Sequence, residues 1–128
     1  MEKMKIIEPM DWQRLKHEYG LDGKRLLPWQ GVKLPFGGAY CVVRAGTESL
    51  AHVNQPLGEE ELFICVQGSA CVIVDDESLP VKMGDVVYIP AGRNHFIRAG
   101  VEDFHLYSVW WSRETCQGYL ASQEEALA

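Results

Sequence analysis

From Ala39 onward the chain alternates short apolar runs with turn formers. The runs read AYCVVRAG, SLAHVN, ELFICVQG, ACVIVDD, LPVKMG, VVYIP, HFIRAG and FHLYSVWW. Each is rich in β-branched and aromatic residues, and the spacing between them is close. That pattern predicts an all-β sandwich or barrel. No helix-length period interrupts it until ASQEEALA at the end, which predicts a short C-terminal helix. The turn chemistry agrees: Gly68, the run Asp75 to Ser78 and Met83 to Asp85 stand where strands should reverse.

The first 35 residues read differently. KIIEPM suggests a short strand, and MDWQRLKHEYG suggests one or two helical turns from an Asp11 cap to Gly20. RLLPWQGVKLPFGG carries several turn formers and reads as an irregular arm. With no repeat and no linker, residues 1–128 are expected to form one domain with a barrel core at about 39–111.

Bulk composition narrows the function. A chain of 128 residues buries roughly two-thirds of its unfolded surface, so it needs no staples. A net charge of −6 offers no basic footprint for nucleic acid. Three of the four cysteines, Cys41, Cys65 and Cys71, sit inside apolar runs, and none forms a CxxC pair. Buried free thiols are therefore expected. No run nears the ~18 apolar residues of a membrane span, and the N-terminus lacks the apolar core of a signal peptide. A cytoplasmic protein without membrane contact is the expectation.

Several metal-capable side chains stand in or beside these runs: His52, Asn54, the three glutamates Glu59 to Glu61, and His95. His52 and Asn54 are two apart, so on a strand they share a face. Glu61 shares one with Phe63 and Cys65, which predicts that these two line a cavity. In GDVVYIPAGRNH, Pro90 has no N–H for the ladder and Gly92 permits a turn, so the chain re-enters the sheet with His95 held near its end. Such rigid aiming suits a metal ligand or a base. Two imidazoles and a carboxylate suit a divalent first-row metal with positions left open.

These residues resemble the cupins, small jelly-roll barrels. Gly84, Pro90, Gly92 and His95 fall on every position of the family's second motif, G-x5-P-x-G-x2-H. Glu61 and Gly68 match E-x6-G, which ends the first motif, and His52 takes the first histidine of its H-x-H. The resemblance implies a cupin-type double-stranded β-helix with an irregular N-terminal arm and a short C-terminal helix. It implies a metal at His52, Glu61 and His95: zinc or iron first, manganese or nickel after them. Asn54 replaces the second histidine, as a weaker ligand or as a partner of one. The gap QPLGEE before Glu61 is longer than the family's, which leaves Glu59 or Glu60 as alternatives; the distance to Gly68 selects Glu61.

A narrower likeness follows from PWQGVKLPFGGAYCVVRAGT, EELFICVQGSA and FHLYSVWW. These are similar to the zinc-binding cupin of hydrazine synthetases, which join two amine nitrogens. It implies N–N bond formation between amino-acid-derived amines and an adenylating partner enzyme. The resulting expectation is a metalloenzyme acting on a small polar substrate, with His105 or Tyr107 moving protons. A sensing or binding module and an accessory partner of a biosynthetic enzyme are the alternatives. Outward aromatics, one of Trp110 and Trp111 among them, and an arm able to cover a sheet edge predict a homodimer.

Overall fold

The computed structural model describes residues 6–27, 34–55 and 58–127. Nine antiparallel strands and one helix follow in order: β1 (Lys16–Glu18), β2 (Leu21–Leu27), β3 (Phe36–Val43), β4 (Glu59–Gln67), β5 (Ser69–Val74), β6 (Glu77–Lys82), β7 (Val86–Ile89), β8 (His95–Ala99), β9 (Phe104–Ser112) and α1 (Arg113–Leu127). Six strands form one sheet in the order β1-β2-β3-β9-β4-β7, and three form the other in the order β6-β5-β8. The all-β jelly-roll expectation is met.

Alternation decides what lies inside. Phe104 and Leu106 of β9, Phe63 and Cys65 of β4, Val72 of β5 and Ile97 of β8 belong to one buried cluster drawn from both sheets. Phe104, Leu106 and Val72 are almost wholly shielded, and each such side chain contributes roughly 1.5–3 kcal/mol. The sharp passage from β4 to β5 needs Gly68: it has φ 82°, and a side chain there would meet the Asp103 carbonyl oxygen. All four cysteines are free thiols, with Cys41 and Cys65 buried. Burial pushes the Cys41 thiol up to about 12, with the Glu61 charge adding to it, so it is inert at neutral pH.

Five expectations are corrected. Asp11 caps one turn only, accepting the Gln13 N–H at 3.1 Å, and the chain then enters β1 instead of a helix. There β1 pairs with β2, and β2 pairs with β3 from Asp22↔Val42 to Leu27↔Gly38. Residues 25–27 and 36–38, the two ends of the expected arm, are thus sheet; residues 28–33 lie outside the described ones. Ile6 to Met10 form no strand, and Lys5 lies outside the described residues. SLAHVN forms only the isolated bridge His52↔His95, not a continuous strand. The C-terminal helix starts at Arg113, eight residues before ASQEEALA, because Ser112 caps it by accepting the Thr115 N–H at 2.9 Å.

Candidate functional site

Between the sheets lies a cavity of about 360 Å³ bordered by His52, Asn54, Glu61, Phe63, His95 and Ser108. They reach it from four stretches of chain. Glu61 and Phe63 are alternate residues of β4, which β9 aligns through Glu61↔Trp110 and Phe63↔Ser108. His95 is the first residue of β8. The loop before it is clamped to Asp75, which accepts the Asn94 N–H at 3.2 Å and pairs with Arg93 at 2.7 Å, while Asn94 returns its carbonyl to the Asp75 N–H. His52 is fixed to that strand by the two backbone hydrogen bonds it exchanges with His95.

The two imidazoles are oriented in the same way. His52 Nδ1 lies 3.0 Å from the Leu50 carbonyl, and His95 Nδ1 lies 3.1 Å from the Arg93 carbonyl. A carbonyl only accepts, so each Nδ1 carries the proton and each neutral ring keeps its lone pair on Nε2. The ring centroids are 4.6 Å apart. His95 Nε2 is buried without an aligned hydrogen-bond partner, although Glu61 Oε1 stands 3.3 Å away.

Glu61 is buried and held on both sides. Asn54 donates its amide N–H to Oε1 at 3.1 Å, and the Ser108 hydroxyl donates to Oε2. Burial alone would push this carboxyl up, but the interactions with His95, Ser108 and Asn54 outweigh it and hold the group below the usual range. Burial would likewise lower His95, yet Glu61 and the Arg93 carbonyl together raise it. Asn54 therefore serves the carboxylate through its amide N–H, the role of a ligand's partner.

Does this set fit a metal? Two donors each ~2.1 Å from one ion stand about 3 Å apart when at right angles. The 3.3 Å between His95 Nε2 and Glu61 Oε1 has that spacing, and the unpartnered Nε2 is the atom an ion would take. The donor chemistry fits. Among the described residues, however, no group of three His, Cys, Asp or Glu side chains is placed to hold an ion. His52 shares the cavity with the pair without completing such a group.

The alternatives to Glu61 fall elsewhere. Glu60 accepts the Tyr88 hydroxyl and faces Arg113 at 3.9 Å. Glu59 borders the cavity; burial and the Glu61 charge push its carboxyl up. Phe63 lines the cavity as expected, whereas Cys65 packs in the core cluster away from it. His105 and Tyr107 are the clearest misplacement. They occupy the face of β9 opposite Leu106, Ser108 and Trp110, which border the cavity. His105 Nδ1 instead meets the Tyr40 hydroxyl at 2.8 Å, and Tyr107 packs edge-on against Tyr40 at 4.9 Å.

Residues not anticipated complete the wall. Ser108 was readable as Leu106 plus two, once the inward register was known. Trp110 lies over Gly37, where a side chain would collide with its indole, and Arg25 stacks on it at 5.7 Å. Tyr19 borders the cavity beside His52, with ring centroids 5.1 Å apart.

Comparison with known proteins agrees with this architecture. A family model described as a cupin domain matches residues 39–110. The plu4264 protein from Photorhabdus luminescens is 45% identical, with a TM-score of 0.80 over 94% of this chain and 99% of that one. A Cupin 2 conserved barrel domain protein from Salinispora arenicola is 34% identical, with a TM-score of 0.78 and the same coverage. An uncharacterized protein of Methanocaldococcus jannaschii, MJ1618, is 31% identical over 100 residues, 73% of this chain and 76% of that protein. The narrower likeness to hydrazine-synthetase cupins gains no support from these matches.

Proposed function

The chain belongs to the cupin family, and from that premise we propose that it binds one divalent transition metal and acts on a small polar molecule in its barrel. Cupin domains commonly hold a metal ion. One observation carries the reading for this chain: a buried His95 Nε2 without an aligned partner, beside a carboxylate, with its Nδ1 tethered to backbone. That carboxylate stands 3.3 Å from Nε2, and an ion between the two would give both an aligned partner. His52, Glu61 and His95 would be the ligands. A bound ion supplies Lewis acidity and open positions for an oxygen or nitrogen of the substrate.

The chain's own groups do the rest. Asn54 and Ser108 fix the carboxylate, and the two backbone carbonyls fix the tautomers. Phe63, Leu106 and Trp110 exclude water and give the substrate an apolar wall. Ser108 and Glu59, not His105 and Tyr107, border the cavity and can hold a proton beside a bound molecule. N–N bond formation is carried no further, because the likeness that suggested it gains no support from the proteins this chain matches. A second reading, binding or sensing without turnover, is favoured by Asn54, whose N–H is spent on Glu61. Elemental analysis of the purified protein beside His52→Ala and His95→Ala tests the site. Metal in the parent and little in the variants is expected; equal content in all three removes it. Turnover lost on chelation and restored by one metal would separate enzyme from sensor.

A second copy of the chain is the partner we propose for the outside of the larger sheet. Tyr107, Ile64 and Val86 lie side by side across β9, β4 and β7, each at least 39% exposed.

A further inference from the structure

Tyr19 and Gly20 form the turn between β1 and β2, outside the stretch that the family model matches. Tyr19 has φ 54° and Gly20 φ 74°. A bulky residue in the left-handed region is an outlier that the surrounding structure must enforce. What enforces it is the loop leading to His52. The Tyr19 carbonyl accepts the Leu50 N–H at 2.6 Å, and a side chain on Gly20 would sit 2.8 Å from that nitrogen. The Leu50 carbonyl in turn accepts the His52 Nδ1–H at 3.0 Å. One residue, Leu50, thus joins the hairpin to the imidazole, through its N–H on one side and its carbonyl on the other. The Tyr19 ring also covers that imidazole, its plane tilted 33° from it.

We infer that Tyr19 is a positioning residue for His52: its backbone sets the Leu50 carbonyl, its ring covers the imidazole, and together they fix which ring nitrogen faces the cavity. The family-matched barrel supplies the imidazole, and the added hairpin aims it. The consequence for metal retention rests on the ligand reading above. The tautomer does not, because it is a property of the ring and its two neighbours alone.

Two readouts separate those claims. Long-range proton–nitrogen NMR of the chelator-treated protein reports the His52 tautomer, and competition of Zn²⁺ with a chromophoric chelator reports affinity. In the parent, His52 should be a single Nδ1–H tautomer. Gly20→Ala, which pushes against Leu50, and Tyr19→Ala should both give a tautomer mixture. Tyr19→Phe, which keeps ring and backbone, should restore the parent spectrum. Zn²⁺ affinity should fall about 10- to 100-fold in the first two, the range for groups that orient a ligand, and less than about twofold in Tyr19→Phe. An unchanged tautomer in both Gly20→Ala and Tyr19→Ala overturns the inference, whatever the metal does. A parent with no Zn²⁺ binding but a Tyr19-dependent tautomer overturns the metal reading and leaves the positioning standing.

Discussion

The two faces of β9 make the most instructive contrast in the molecule. Both are rich in aromatic and polar residues, and the same backbone bonds hold them. Inward stand Phe104, Leu106, Ser108 and Trp110; outward stand His105, Tyr107, Val109 and Trp111. The inward polar group, Ser108, is buried and bonded to another buried polar group, Glu61. The outward polar groups meet each other at the half-exposed surface, as His105 does Tyr40. A histidine and a tyrosine look like chemistry in a sequence. Here the polar group enclosed with the cavity is the serine, because only the inward face of β9 borders it.

Four experiments would break or sharpen that contrast. The largest effect is expected at the inner end of β9. Phe104→Ala removes a side chain with 0% exposure and should lower stability by about 3–5 kcal/mol. On the outer face, Tyr107→Ala should cost about 1 kcal/mol, the worth of its aromatic pair. Urea midpoints measure both, and similar losses would erase the distinction between the faces.

Metal content comes next. His95→Ala should reduce bound metal at least tenfold, and His105→Ala should leave it at the parent level. Elemental analysis of the two side by side checks this, and loss in His105→Ala would return the site to the outer face.

The pH dependence of chelator-treated protein tests the His95–Glu61 pair. Glu61 is held below its ordinary 4.5, so its contribution is full above that pH and fades as pH falls through the depressed value. His95 is raised above its ordinary 6.5, so its contribution is full below that pH and fades as pH rises through the raised value. The contribution of the pair should therefore peak between those two ordinary values. The difference in urea midpoint between parent and His95→Ala, followed across pH, isolates it. A difference that grows from neutral to alkaline pH contradicts the assignment.

The smallest effect on folding and the clearest on assembly is expected at the outer sheet face. Ile64→Lys should leave the circular dichroism spectrum unchanged and halve the mass seen by sedimentation. A parent that sediments as a monomer at the same concentration ends the proposed pairing.

Much of the site was legible because the cupin motif records backbone geometry as well as chemistry. Glu61 was recoverable from its distance to Gly68, whose φ of 82° the turn demands. His95 was recoverable from Pro90 and Gly92. The inward placement of Ser108 was not, since alternation gives two possible faces and only pairing with β4 chooses between them. Nor was β1. MDWQRLKHEYG has a fair helix cap and charged residues throughout, but hydrogen-bonding to β2 and the sheet beyond it overrode the local preference.

By itself the sequence determined that the chain rolls into a small antiparallel barrel, and it singled out the glycines, proline, histidines and acid of a candidate site. Those features act locally, through allowed dihedrals, missing donors and residue spacing. Only the tertiary structure decided that Asn54 and Ser108 share one carboxylate, that His105 and Tyr107 face away, and that Tyr19 reaches His52 from a hairpin distant in the chain. Each of these depends on strand register and on contacts between remote segments, which no local pattern encodes.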